Sequence, residues 1–400
     1  MIHSLRLQNF KPFEDQIINF KPLTLLSGLN GMGKSSVLQS LLLLRQSYQQ
    51  RLLQRKYLAL NGNLVNIGTA KDALFEGAKK EEIIFELIVE HQDIQTWTWQ
   101  FKYNKQSDVL SSDIAPITDN IHGFSLFTDY FHYLQAERFG PRNVFEISDD
   151  LVRQHFQIGT RGEYAAHFLY VFGKFDINTV GIKQKDSHSI NRVFERPGKS
   201  EINKLIHPQE NSRLLNSQVK AWMGEISPGT NIHVDPIAGV DLMRLEYSFD
   251  MGKDVGISSR YRNTNVGFGI TYTLPIIVAV LASPPGTLIL VENPEAHLHP
   301  RGQAKMGELL ALAASCGIQV VLETHSDHVL NGIRLAVHGG KIKPEDVQLN
   351  YFQRREKQGQ AFTKVISPHI DRNGRIDRWP DGFFDEWEKS LYVLLEPAGE

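Results

Sequence analysis

The sequence predicts an α/β protein of the P-loop nucleotide-binding class, a mixed sheet flanked by helices with a mainly helical insertion, and three observations carry that expectation. A buried strand, LTLLS, runs into the glycine-rich Gly28-Leu-Asn-Gly-Met-Gly-Lys-Ser35 and then into the helix SSVLQSLLLL, which is the context a phosphate-binding loop requires. Farther on, TLILVE, PRGQAKMGELLALAASCG and IQVVLETH succeed one another as strand, amphipathic helix and strand. Apolar strands joined through a helix run parallel. Between these regions, from about 140 to 250, short polar helical pieces alternate with turns.

Taken in order, LRLQNF alternates apolar and polar residues as a half-buried strand does, QIINF follows after a turn, and KPLTLLSG is a buried strand ending in glycine. A helix starts near Lys34. EIIFELIVE and QTWTWQFKY are further strands; Trp97, Trp99, Phe101 and Tyr103 fall on one face at period two, the pattern of a sheet core rather than of a base-stacking platform. DDLVRQHF, EYAAHFLYVF and NSRLLNSQVKAWMGEI are the helical pieces of the insertion, and GITYTLPIIVAVLAS is a buried helix. A hairpin, VQLNYFQRREKQGQAFTKVISP, and a short helix follow the last parallel strand. The expected division is 1–139 for the first half of the head, 140–250 for the insertion or lid, and 251–400 for the second half.

Bulk composition excludes several classes. With 43 Lys and Arg against 45 Asp and Glu in 400 residues, no global charge favours tight nonspecific binding to a polyanion. The single cysteine, Cys316, rules out an intramolecular disulfide and a cysteine-rich zinc or iron–sulfur site, so a reducing compartment, the cytoplasm, is expected. No run of about 18 apolar residues occurs, so no membrane span is expected.

The phosphate loop carries the chemistry. Glycines 28, 31 and 33 let backbone N–H groups turn inward around phosphate oxygens, and the helix start adds its partial positive charge. Lys34 would reach the β- and γ-phosphates of ATP and the Ser35 hydroxyl would bind Mg²⁺. Such a loop needs an acid at the end of a neighbouring strand, and TLILV-Glu292 supplies one.

The motifs NFKPF, GLNGMGKSS, YLQAERFGPR, NVGFGITYTLPII, LILVENPEAHLHP and LETHSD, in that order, resemble the ABC-type ATPases of the RecF, SMC and OLD group, in particular the stand-alone bacterial ATPases of phage-defence gene clusters. The resemblance implies that Asn30, Gly31, Met32, Gly33, Lys34, Ser35 and Ser36 hold the triphosphate. It implies that Asn265, Gly267 and Gly269 form a degenerate signature motif facing the γ-phosphate bound to a second subunit. His325 matches the switch histidine, and Gln135 the Q-loop glutamine near magnesium; Arg138 and Arg142 beside it are alternative phosphate or nucleic-acid contacts. The implied assembly is a homodimer with shared Mg²⁺–ATP sites that controls a partner effector, encoded nearby, in antiphage defence or DNA maintenance, with nucleic acid as a further allowed partner.

One departure stands out. Aligning Pro294 with the proline of the usual Asp-Glu-Pro puts Glu292 at the magnesium acid and Asn293 where a water-polarising glutamate is normal. An amide accepts no proton at neutral pH, so either Glu295 takes that role or turnover is slow and ATP acts mainly as dimer glue. His299 falls where a D-loop aspartate lies and would join the subunit contact. A nucleotide-switched scaffold or sensor with little turnover is the alternative function. A metal cluster of His297, His299, His325 and His328 is a third reading.

Other features have plainer expectations. Gly159-Thr-Arg-Gly-Glu163 reads as a turn held by an Arg–Glu pair. In the tail, Phe383, Phe384, Trp387, Leu391 and Leu395 recur about one helical turn apart, and packing onto the parent domain is expected before partner docking. After His325 the chain is too short for a Toprim nuclease domain, and the interval between phosphate loop and acidic strand holds no long coiled coil.

Overall fold

The computed structural model describes residues 1–117, 121–180, 202–357 and 359–396. Two compact units share the chain: Met1–Phe127 with Glu323–Asp327 and Pro344–Glu400, and Thr128–Leu322 with His328–Lys343.

The first unit opens with β1 (Ile2–Phe10), β2 (Phe13–Asn19), β3 (Leu23–Gly28) and α1 (Lys34–Gln49), then β4 (Tyr57–Ala59), α2 (Ala70–Ala73), β5 (Glu82–His91), β6 (Asp93–Lys102) and β7 (Val109–Ile114). An antiparallel sheet in the order β2-β1-β5-β6-β7-β4 forms from these. Its core face follows from period two: Ile83, Phe85, Leu87 and Val89 of β5 are buried, and in register opposite them Phe101, Trp99 and Trp97 of β6 are buried too. The aromatic row is therefore sheet core, with Phe85 meeting Phe101 and Phe10 edge to face.

The second unit holds β8 (Phe131–Leu134), β9 (Phe145–Glu146), α3 (Ala165–Phe172), α4 (Leu215–Ile226), β10 (Thr230–Pro236), β11 (Leu242–Phe249), β12 (Tyr261–Arg262), α5 (Phe268–Ala282), β13 (Leu288–Glu292), α6 (Pro300–Ser315), β14 (Gln319–Glu323), whose last residue belongs to the first unit, and α7 (Asp327–His338). β13 runs parallel to β8, and all of β13 but Glu292 is buried, as a strand covered on both faces must be. Of the three helical pieces expected in residues 140–250, two form as α3 and α4 and the first is a short π-helical turn at Asp150–Gln154, and the segment also holds β9, β10 and β11; β10 and β11 pair without a break from Thr230 with Phe249 to Pro236 with Met243. Residues 181–201 of that segment lie outside the described residues.

The chain then returns to the first unit with β15 (Val347–Lys357), β16 (Gln360–Ile366) and α8 (Glu386–Leu395). β15 pairs parallel with β3 and antiparallel with β16. Of the tail residues, Phe383 is buried against Tyr351, Trp379 and Phe384, whereas Trp387, Leu391 and Leu395 of α8 are exposed. Packing onto the parent unit thus accounts for the start of the tail and not for the helix. No helix among the described residues is long and apolar enough to cross a membrane.

Two glycines set the crossing of α6 on α7. A Cβ on Gly307 would lie 2.2 Å from the Val329 carbonyl oxygen, and one on Gly332 would lie 2.0 Å from that of Ala304. Each helix therefore offers a glycine to the other's backbone. Gly332→Ala should lower unfolding stability by about 1–3 kcal/mol through overpacking, measured by urea denaturation. Gly224→Ala, in α4 where an added methyl meets nothing within 4 Å, should raise it by about 0.5–1 kcal/mol through helix propensity.

Candidate nucleotide-binding site

The phosphate loop links β3 to α1, and its glycines are there for backbone conformation at all three positions and for lack of space at Gly28 and Gly33. Gly28, Gly31 and Gly33 all have positive φ, which glycine adopts without strain. A Cβ on Gly28 would lie 2.4 Å from the Phe352 carbonyl oxygen of β15, and one on Gly33 would press on Pro12 and Phe13 at 2.7 and 2.8 Å. NFKPF, a motif without an evident role in the sequence, is thus the backing of the loop. From β16 the Thr363 hydroxyl donates to the Met32 carbonyl at 3.1 Å. Asn30 and Gly31 are exposed, Met32 half-buried and Ser36 buried.

α1 begins at Lys34, so the N–H groups of its first turn have no acceptor within the helix and can donate to an anion. The Lys34 side chain is only 3% exposed, and its ammonium donates to the Gly28 and Leu29 carbonyls at 2.9 and 3.0 Å. Burial pushes its pKa below the usual lysine range, and the Glu323 carboxylate works against that shift. Lys34 and Glu323 stand 3.8 Å apart, and the Ser35 hydroxyl donates to Glu323 at 3.2 Å. The Ser35 hydroxyl and the carboxylate together give the all-oxygen donor set that suits Mg²⁺.

Glu323 went unmarked in the sequence although it lies inside LETHSD. The signal was an acid closing the apolar run IQVVLE, since a buried carboxylate requires a partner. Beyond it the Thr324 N–H donates to the Leu26 carbonyl of β3 at 3.1 Å, which sets this segment beside the end of the phosphate-loop strand. His325 is exposed.

The other sequence-marked residues belong to the second unit and gather there around the exit of β13. Both oxygens of Glu292 are engaged: Oε1 accepts from the Tyr133 hydroxyl at 2.9 Å and Oε2 from the Ala136 N–H at 3.1 Å. Asn293 has φ 45°, a left-handed conformation that asparagine tolerates better than glutamate does. The backbone thus supplies a local reason for an amide at this position. Glu295 accepts the Leu298 N–H on its carbonyl within the turn that follows. Gln135 donates from its side chain to the Thr160 hydroxyl at 3.4 Å.

Arg138 corrects the reading of it as a phosphate or nucleic-acid contact. It is 2% exposed, and its guanidinium is spent on main-chain carbonyls: Nε on Tyr272 at 3.1 Å, one terminal nitrogen on Gln135 and Glu292 at 2.9 and 2.6 Å, the other on Asn293 at 2.7 Å. Burial pushes its pKa down to about 10, opposed by Glu295, Tyr272 and Glu292, so it stays charged at neutral pH. Arg142 lies over the Phe139 ring.

The signature-like stretch sits against the same loop. A Cβ on Gly269 would lie 2.6 Å from the His297 carbonyl oxygen, while the His297 ring packs on Phe268 and Tyr272. Gly267 starts α5 in open space, and Asn265 is exposed. His299 caps α6, its Nδ1 accepting the Arg301 N–H at 3.3 Å. Among the described residues no group of three or more His, Cys, Asp or Glu side chains could hold a metal ion, and the four-histidine cluster is therefore not formed. In the 159–163 turn the Glu163 carboxylate accepts the backbone N–H of Arg161 at 2.8 Å, while the guanidinium turns to the Glu137 carbonyl at 3.1 Å. The turn stands as expected, though its partner is an N–H and not the guanidinium.

Fold and site define a P-loop ATPase domain of the ABC type, with the mixed sheet of an SMC-like head. Residues 23–331 match the model of the family described as "AAA domain, putative AbiEii toxin, Type IV TA system", and the chain belongs to that family. Residues 342–394 match a second family, DUF3696, described as a protein of unknown function. No curated protein matches the chain. Among solved structures, an SMC head bound to the C-winged helix domain of ScpA has TM-score 0.52 at 14% identity, with 92% of this chain and 98% of that one covered. The SMC head domain from Thermotoga maritima gives 0.44 at 11%, covering 91% and 98%. An Smc head bound to the C-terminal domain of ScpA derived from Pyrococcus furiosus gives 0.46 at 12%, covering 98% of each. At these identities the likeness is one of fold alone.

Removing the Arg138 fork should be costly because four carbonyls each lose a donor at once, although Asn293 keeps the Ala296 N–H at 3.1 Å. Arg138→Met is expected to lower unfolding stability by about 3–5 kcal/mol. Arg138→Lys, which keeps the charge and loses the planar fork, should fall between. Urea denaturation of both variants checks this, and a stability loss below about 1 kcal/mol for Met would contradict it.

Proposed function

We propose that this chain binds and slowly hydrolyses Mg²⁺–ATP, dimerises head to tail around two shared nucleotides, and by doing so controls a partner effector in antiphage defence or DNA maintenance. The observation that carries the nucleotide part is the phosphate loop itself: three glycines in a backbone conformation that favours glycine, two of them with no room for a Cβ, followed by a buried lysine at a helix start. The family description, with its toxin and type IV toxin–antitoxin system, supports the defence setting. A partner encoded nearby is the expected effector, and nucleic acid remains an allowed second partner.

In this reading residues 30–36 hold the triphosphate, with Lys34 on the β- and γ-phosphates. Bound magnesium would withdraw charge from the phosphate oxygens, with the Ser35 hydroxyl, Glu292 and Gln135 in the metal roles the family resemblance implies. His325 contacts the γ-phosphate or the attacking water, and Asn265, Gly267 and Gly269 face the γ-phosphate of the partner subunit's nucleotide. Asn293 cannot take a proton, so Glu295 is the base, and its turnover is slow. The alternative, a nucleotide-switched scaffold or sensor with little turnover, is favoured by the same asparagine.

Lys34→Ala should weaken ATP binding by more than about 100-fold while the far-ultraviolet circular dichroism stays unchanged. Phosphate release from the parent chain should be measurable and should drop by about 100-fold in Glu292→Gln and in Glu295→Gln. A parent that binds ATP and releases no phosphate would hand the function to the scaffold reading. Light scattering with ATP on the Glu295→Gln variant should report a dimer that ADP does not support.

A further inference from the structure

Within its own unit the phosphate loop contacts the acid Glu323, to which the LETHSD motif assigns no role. Glu323 is 6% exposed, and its carboxylate accepts the Ser35 hydroxyl at 3.2 Å and stands 3.8 Å from the Lys34 ammonium. A structural ion pair would account for the contact with Lys34 alone. It does not account for the direction of Ser35, an exposed residue at the helix start whose hydroxyl is turned toward the carboxylate.

The charge arithmetic is what separates the two roles. Phosphates placed at this helix start would have Lys34 in their favour and Glu323 against them, and like charges a few ångströms apart in a partly buried site repel strongly. A divalent cation turns that repulsion into attraction, because it can be shared by the carboxylate, the Ser35 hydroxyl and the phosphate oxygens. Buried hard oxygen donors beside a hydroxyl are what Mg²⁺ selects.

We propose that Glu323 is a magnesium-binding residue of the nucleotide site, which makes ATP binding conditional on the divalent cation by repelling metal-free ATP. This rests on the ATP-binding reading above. Glu323 then works as a gate on the charge state of the ligand: Mg²⁺–ATP is admitted and free ATP is excluded.

The test is ATP affinity of the full chain by fluorescence titration, with excess Mg²⁺ and again with EDTA. For the parent, Mg²⁺ should tighten binding by at least about tenfold. In Glu323→Gln the ratio should collapse to within about twofold, chiefly because binding in EDTA improves. An unchanged ratio in a folded Glu323→Gln chain overturns the proposal and leaves Glu323 as the structural partner of Lys34. Should that variant not fold, Glu323→Asp decides, since drawing the carboxylate back by one methylene should reduce the ratio and an unchanged ratio again overturns the proposal. A parent that binds ATP in neither buffer removes the nucleotide reading, and this inference with it, which is a different result from an unchanged ratio.

Discussion

A buried guanidinium must find an oxygen for each of its N–H groups, and in the second unit this requirement falls on Arg138. Its five donors and planar fork meet four main-chain carbonyls from three stretches of chain: the exit of β8 at Gln135, the first turns of α5 at Tyr272, and the exit of β13 at Glu292 and Asn293. Remove the fork and the loop carrying Glu292 to His299 loses its anchor at the Glu292 and Asn293 carbonyls and keeps its own turn hydrogen bonds. The left-handed Asn293, the Glu292 carboxylate held by Tyr133 and Ala136, and the seat of Gly269 on the His297 carbonyl all belong to the loop whose first carbonyls Arg138 holds.

The phosphate loop rests on contact and not on a clamp. Gly28 leans on β15, Gly33 on the Pro12–Phe13 turn, and Met32 on a hydroxyl from β16. The loop's shape is therefore set by residues from both ends of the chain. The segment matched to the second family supplies β15 and β16, so it completes the nucleotide loop in addition to carrying the exposed helix that follows.

What the sequence revealed was what is local. Gly28 to Ser35 reads directly because strand, turn and helix start are contiguous, and the period-two burial of Trp97, Trp99 and Phe101 could be counted. Glu323 escaped because its partner Ser35 lies 288 residues away and a single acid after an apolar run has no pattern. Arg138 was misread for a related reason: a charged residue is presumed wet, and only the folded chain shows four carbonyls converging on it. In β11 the buried Met243, Leu245 and Tyr247 alternate with polar residues, a legible period masked by the helical pieces around it. The tail displayed a helical period, yet periodicity cannot say that Phe383 is covered while Trp387 is bare.

The turn at 159–163 has a further meaning in the fit between Gly162 and α5. Gly162, at φ 75°, faces Pro275, where a Cβ would lie 2.2 Å from the ring, and Pro275 sits inside α5, where its ring removes a helix hydrogen bond. Neither residue is chemically active, yet each defines what the other is allowed to be. Any descendant chain that keeps the proline inherits a single choice at 162, and one that replaces it frees the turn to drift. The two positions form a lock with one key, more than a hundred residues apart in sequence and dependent on no ligand.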